Sequence, residues 1–188
     1  VWIENNELVS IAENEYQIGN GIHLWKCEYI TINENKIKGH RDGIYFEFVT
    51  NTLITNNYSE ENKRYGLHFM FSHNDEYRDN TFINNGSGVA VMYTKGVKMI
   101  NNRFIHNWGS ASYGLLLKDI RDSYIFGNEF DQNSIGIVME GSSRNEVLEN
   151  RFIRNGYAFK LQASCDDNVI ERNNFQQNTF DLVTNGSL

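Results

Sequence analysis

The sequence predicts an all-β chain, a single-stranded right-handed parallel β-helix of about eight coils with about 22 residues in each. Three observations predict it. A residue that is usually Gly opens a short apolar stretch at Gly21, Gly43, Gly66, Gly88, Gly114, Gly136, Ala158 and Asp181, at steps of 22, 23, 22, 26, 22, 22 and 23 residues. Each opening is followed by apolar alternation at period 2, and an Asn-x-(apolar) signature then recurs once per repeat. A fixed period of this size means one supersecondary unit stacked on itself.

The first element of each unit is a strand with one buried face, as in 43–48 (Gly-Ile-Tyr-Phe-Glu-Phe), 66–71 (Gly-Leu-His-Phe-Met-Phe) and 88–93 (Gly-Val-Ala-Val-Met-Tyr). Positions +1 and +3 from the opening residue are apolar in almost every copy, for example Ile44/Phe46, Leu67/Phe69 and Leu115/Leu117, and are expected to point inward. A second short strand follows. Its inward place is filled by Ile32, Ile54, Tyr77, Met99, Ile125, Val147 and Ile170.

The third element is the Asn-x-(apolar) signature: Asn35/Ile37, Asn80/Phe82, Asn102/Phe104, Asn128/Phe130, Asn150/Phe152 and Asn173/Phe175, with Asn57/Ser59 as the weak copy. A further Asn closes most repeats, at Asn62, Asn85, Asn107, Asn133, Asn155 and Asn178. Asn tolerates left-handed backbone and bonds its own turn, so these residues are expected at the corners. Stacked Asn side chains are also expected to bond from coil to coil. Leucine-rich repeats share the period but need an L-x-x-L-x-L pattern that this chain lacks. The absence of Pro suits ladders paired on both sides.

Residues 1–20 are expected to form a partial N-terminal coil with a polar insertion, and 21–188 the repeats proper. Neither end carries a recognisable cap, so the sequence is expected to be a fragment of a longer repeat protein. Cys27 and Cys165 fall at similar coil positions six coils apart, about 29 Å at the strand spacing, so they are expected not to pair with each other and to be free or differently occupied thiols. The net charge of −7 argues against nucleic acid as a partner. No apolar run is long enough to span a membrane.

If +1 and +3 face in, then +2 and +4 face out. Read along the stack, those places hold His23/Trp25, Tyr45/Glu47, His68/Met70, Ala90/Met92, Leu116/Lys118, Val138/Glu140 and Lys160/Gln162. A stripe this rich in aromatic, His and Met residues is expected to be a contact surface. Its protein-binding candidates are Trp25, Tyr45, Glu47, Phe71, Tyr93, Lys118 and Glu140.

His68, Met70, His73 and Met92 are the metal candidates, because imidazole and thioether together favour Cu(I). The competing account makes the two methionines an adaptable packing surface with His68 and His73 at its rim. Glycan chemistry is the other alternative. Glu47 and Glu140 lie four coils apart, about 19 Å, so they are not a glycosidase pair. Lys118, Arg121, Arg144 and Lys160 read more simply as a solvated face with cross-coil pairs such as Lys118–Glu140. Cys165-Asp166-Asp167-Asn168 is either a calcium site or an Asx-rich turn. Asn57-Tyr58-Ser59 and Asn185-Gly186-Ser187 have glycosylation form, which chance supplies in an Asn-rich chain.

Several stretches are more specific than the generic repeat: Gly43-Ile44-Tyr45-Phe46-Glu47-Phe48, Arg64-Tyr65-Gly66-Leu67-His68-Phe69-Met70-Phe71-Ser72-His73-Asn74, Gly88-Val89-Ala90-Val91-Met92-Tyr93 and Tyr113-Gly114-Leu115-Leu116-Leu117-Lys118-Asp119. Met139-Glu140-Gly141 and Thr184-Asn185-Gly186 add to them. From about residue 20 to 188 the chain resembles the NosD family, periplasmic maturation proteins of nitrous oxide reductase. The resemblance implies a β-helix of the carbohydrate-binding and sugar-hydrolase repeat class, used as a scaffold rather than an enzyme. It implies a periplasmic location and work beside an ABC-type ATPase and permease. It also implies a copper chaperone lipoprotein as donor and nitrous oxide reductase as recipient of copper. A polysaccharide lyase, epimerase or glycan-binding module is the alternative from another class.

Overall fold

The computed structural model describes residues 1–12, 14–162 and 164–184. The chain winds as a parallel β-helix whose coils contribute one strand to each of three eight-stranded parallel sheets. The first sheet runs from Trp2–Glu4 to Val169–Glu171, the second from Glu7–Val9 to Asn174–Gln176 and the third from Ile22–Trp25 to Phe180–Thr184. Trp2–Glu4 pairs with Thr31–Asn33 and Glu7–Val9 with Lys36–Lys38, so residues 1–9 continue the stack below the first Gly. The stretch between them and Gly21 includes a short 3-10 turn at Glu15–Gln17.

The inward set is the one that alternation dictates. Ile44, Phe46, Leu67, Phe69, Val89, Val91, Leu115 and Leu117 are fully buried, as are Ile32, Ile54, Tyr77, Met99, Ile125 and Val147. Phe82, Phe104, Phe130, Phe152 and Phe175 form a stacked file with successive ring centroids 5.5, 4.6, 4.8 and 4.9 Å apart. Ser59, paired with Phe82 in register, shows why the weak copy is tolerated. Its buried hydroxyl donates to the Gly66 carbonyl at 2.9 Å and accepts from Asn62 Nδ2 at 2.9 Å, so the polar intruder is satisfied. Gly66 is small because a Cβ there would lie 2.8 Å from both the Gly88 carbonyl oxygen and the Phe82 ring.

Asn side chains form two files along the coil axis. In the first, Asn6, Asn35, Asn57, Asn80, Asn102, Asn128 and Asn150 each donate from Nδ2 to the Oδ1 of the next, as in Asn102 to Asn128 at 3.0 Å, and the file ends on Asn173. The second includes Asn107, Asn133, Asn155 and Asn178. One expectation is corrected here. The ladder Asn residues do not carry the left-handed backbone. The residue before each one does: Glu34, Asn56, Asp79, Asn101, Glu149 and Arg172 in the first file, with φ between 54° and 56°. The bend is made one residue earlier, which leaves the Asn free to turn its amide inward. Cys27 and Cys165 are free thiols. Asn168 Oδ1 accepts from Asn145, and Asp167 supplies a left-handed corner, so the Asp-rich turn has a structural account. The Asn185-Gly186-Ser187 sequon lies outside the described residues.

Candidate functional site

The stripe lies on the third sheet, where the pairing register sets Tyr45, His68, Ala90, Leu116 and Val138 in one row. Glu47, Met70, Met92, Lys118 and Glu140 form the neighbouring row. The second row is half-buried and open to ligands. The first row departs from the outward expectation: His68 is 5% exposed, Ala90 fully buried and Val138 7% exposed.

Covering aromatics bury His68. Its ring lies 5.2 Å from that of Tyr45 and 4.7 Å from that of Tyr65. Tyr65 is in turn overlaid by Tyr113, with ring centroids 6.4 Å and hydroxyls 3.4 Å apart. Tyr113 closes the 26-residue repeat, whose extra residues bridge the coil edge. Burial, then the bond to Tyr65, pushes the Tyr113 hydroxyl far above the usual phenol range.

Beneath His68 lies Asp42, fully buried. Arg64 grips it with Nε at 2.8 Å from Oδ1 and with a second contact from Nη2 to Oδ2. Asp42 Oδ2 is also 3.5 Å from His68 Nδ1. Burial works to raise the Asp42 carboxyl, but the bonds from Arg64 and His68 outweigh it and hold the group below the ordinary value. Two groups meet Nδ1: a proton there faces the Asp42 carboxylate, whereas a bare Nδ1 accepts from Arg64 Nη2 at 3.5 Å. With the proton on Nδ1 toward Asp42, the Nε2 lone pair is left buried and, among the described residues, without a hydrogen-bond partner. A carboxylate orienting one ring nitrogen while the other stays free is the usual support of a metal-ligating His.

His68, Met70, Tyr45 and Glu47 line one cleft of about 310 Å³, with Asn20, His23, Arg41 and Arg64. Tyr45 Oη stands 3.5 Å from Glu47 Oε2 and 3.8 Å from Met70 Sδ. Burial and the Glu47 charge raise its hydroxyl. Met92 pairs with Met70 in the adjacent coil. His73 goes elsewhere. It lies past the end of the strand, in a second cleft with Tyr93, Thr94, Lys95, Asp119 and Arg121. There its Nδ1 accepts the Lys95 backbone N–H at 3.3 Å. Burial, then Lys95 and Arg121, lowers its pKa. Sequence distance put His73 with His68, but the corner at Phe71 turns it away. Among the described residues, no three His, Cys, Asp or Glu side chains converge for a metal.

The remaining stripe residues are spread along the edge. Trp25 is exposed, with Lys26 Nζ 4.5 Å from its ring centroid. Phe48, Phe71 and Tyr93 stack at 5.3 and 5.1 Å, exposed, at backbone corners with φ of 55°, 50° and 56°. Lys118 Nζ pairs with Glu140 at 3.3 Å, the cross-coil contact expected of a solvated face. Sequence inspection did not assign Asp42 or Tyr65 to the site, nor Tyr113 as the cover over Tyr65. All three sit immediately before an opening Gly, a place whose parity matches the inward +1 and +3 positions, so alternation gives no sign that they gather around His68.

A family model described as NosD, periplasmic copper-binding protein, matches residues 3–187. The chain belongs to the NosD family. No curated protein sequence matches it. Among solved structures it is similar in fold to the periplasmic alginate epimerase AlgG, with TM-score 0.65 and 19% identity over 72% of this chain and 34% of that one. It is similar to the A-module of mannuronan C-5 epimerase AlgE4 of Azotobacter vinelandii, with TM-score 0.61 and 14% identity over 90% of this chain and 62% of that one. It also resembles the enzymatically active domain of bacteriophage CBA120 tailspike protein 2, with TM-score 0.66 and 15% identity over 96% of this chain and 34% of that one. The chain therefore spans about a third to three fifths of these structures, and at such identities the likeness is one of fold. The family is described as periplasmic. Among the described residues, no helix is long and apolar enough to cross a membrane.

Proposed function

We propose that this NosD-family chain is a non-enzymatic periplasmic scaffold for assembling the copper centre of nitrous oxide reductase. In this reading it takes Cu(I) or its carrier from a copper chaperone lipoprotein and works beside an ABC-type ATPase and permease. The observation that carries it is the His68–Met70 cleft. A buried imidazole Nε2 without a partner among the described residues and a thioether two residues along the same strand face make a soft donor set. Met92, registered on Met70, supplies a second sulfur for Cu(I) or for a docking surface. Asp42 and Arg64 orient the imidazole, and Tyr45 covers the entrance. The exposed Phe48–Phe71–Tyr93 file and Trp25 offer the partner-facing surface.

Anaerobic Cu(I) titration against a competing chelator tests the copper element, with the protein compared to His68→Ala/Met70→Ala. One equivalent of Cu(I), lost in the double variant, is expected. Absence of binding in both, with chaperone capture intact, would leave docking alone.

Uronate chemistry is the second reading, and the Asp42–His68–Arg64 cluster beside the Tyr45 hydroxyl is what favours it. Turnover of an oligouronate, followed by proton NMR and abolished by His68→Gln, would put it first.

A further inference from the structure

Beside the His68–Met70 cleft the surface is cationic, in a chain of net charge −7. Arg41, Lys63 and Arg64 line a cavity of about 510 Å³ with Tyr16 and Ile18. Arg41 and Arg64 also line the cleft that holds Tyr45, Glu47, His68 and Met70. The two spaces meet at these shared residues, a trough in two parts. Lys63 lines the first space, Arg41 and Arg64 line both, and the second adds the Tyr45 phenol, the Met70 thioether and the Glu47 carboxylate, which faces the Tyr45 hydroxyl.

The cations are held there against their own repulsion. Arg41 and Arg64 occupy equivalent corners of successive coils, joined by the Arg64 N–H donating to the Arg41 carbonyl at 2.8 Å. Like charges stacked on adjacent strands are destabilising. Asp42 neutralises Arg64 from below and fixes its guanidinium plane. Among the described residues, no carboxylate lies within ion-pair distance of Arg41 or Lys63, and both side chains are exposed. A compact anion would fill only the cationic end. The second space is lined by Tyr45 and Met70, and the exposed Phe71 next to Met70 in sequence stands in the middle of the aromatic file, so the length and the change of character suit a chain.

We infer that the trough seats an extended polypeptide segment of a partner protein, with carboxylates against Arg41, Lys63 and Arg64 and a following apolar or thioether side chain against Tyr45 and Met70. This rests on the scaffold reading and gives its partner a recognition chemistry. Complementary charge sets orientation and encounter rate, and the apolar end adds residence time.

The test is fluorescence anisotropy with a labelled peptide Glu-Glu-Gly-Met-Phe, a charge-reversed Lys-Lys-Gly-Met-Phe, and the protein beside Arg41→Glu/Lys63→Glu. Both substituted side chains are exposed, and circular dichroism checks the fold. Arg41→Ala/Lys63→Ala serves if the reversed pair misfolds. The acidic peptide is expected to bind the native protein and to weaken roughly tenfold or more in the variant, with the preference reversed for the lysine peptide. Added salt is expected to weaken it further. Equal binding of both peptides, no binding of either, or displacement by inorganic phosphate or a short oligouronate but not by unlabelled acidic peptide would each overturn the inference. Failure here with chaperone capture still sensitive to Phe71→Gly leaves the scaffold reading standing. Loss of both removes the scaffold reading as well.

Discussion

Asp42 Oδ2 lies 3.5 Å from His68 Nδ1 across adjacent coils, and both side chains are buried. The pair holds an imidazole with one nitrogen committed and the other free. Asp42→Asn keeps the shape and removes the charge. A carboxyl lowered in the folded state adds stability above its unfolded value of 3.8 and loses it as pH falls through the lower folded value. Urea unfolding at pH 7 is therefore expected to show a loss of about 1–3 kcal/mol, narrowing below pH 3.8. Cu(I) affinity is expected to fall about tenfold to a hundredfold, as for other second-layer carboxylates. An unchanged affinity would separate Asp42 from the site.

Asn102 tests the amide file. Its Oδ1 accepts from the Asn80 backbone N–H at 3.1 Å and from Asn80 Nδ2 at 3.0 Å. Its Nδ2 donates to Asn128 Oδ1 at 3.0 Å and to the Tyr77 carbonyl at 2.9 Å. Asn102→Ala leaves several buried groups unpaired, and each such group costs about 1–3 kcal/mol. Chemical denaturation is expected to show a loss of at least about 3 kcal/mol. A loss under about 1 kcal/mol would mean that water replaces the amide.

The coil was legible because its determinants are local and repeated. Phe69, Phe104 and Ile125 mark the interior by period alone, and Asn102 marks its file by spacing from Phe104. The site was legible only in part. Met70 and Met92 could be paired from the repeat, since register follows from counting. The burial of His68 could not, because it depends on Tyr65 and Tyr113, and Tyr113 arrives through the one long repeat. His73 was misplaced for a similar reason. Residue counting carries no sign of the left-handed corner at Phe71 that sends it to another face. Bulky aromatics are poor left-handed formers, so nothing in their type announced the bend.

Asp75 predicts an inverted pH dependence. It is fully buried where other coils place Ser123, Asn145 and Asn168. Its Oδ1 accepts the Thr52 N–H at 2.8 Å, while Oδ2 has no partner among the described residues. Burial raises its pKa to about 7, with the Thr52 bond working the other way. The folded chain thus keeps a proton that the unfolded chain releases near 3.8. Its contribution to stability is full at low pH and fades as pH rises toward 7, the opposite of Asp42. Asp75→Asn, matching the amides of other coils, is expected to flatten this slope and to gain up to about 4 kcal/mol at pH 8. Parallel slopes for the two proteins in denaturant titrations from pH 4 to 8 would show that Asp75 ionises freely.

Phe71 separates surface from scaffold. Its φ of 50° costs an L-residue about 1–2 kcal/mol, and its ring stacks between Phe48 and Tyr93. The same corner further along the stack is Gly141, with φ 58°, so the fold itself has no need of an aromatic there. Phe71→Gly relieves the backbone and loses stacking worth about 0.5–1.5 kcal/mol per pair. The two effects nearly cancel, and thermal stability is expected to stay within about 1 kcal/mol. Binding to the copper chaperone is expected to fall roughly tenfold, as for an interface aromatic. A large loss of stability with binding intact would instead make the file a structural brace, and the partner surface would have to lie elsewhere on the third sheet.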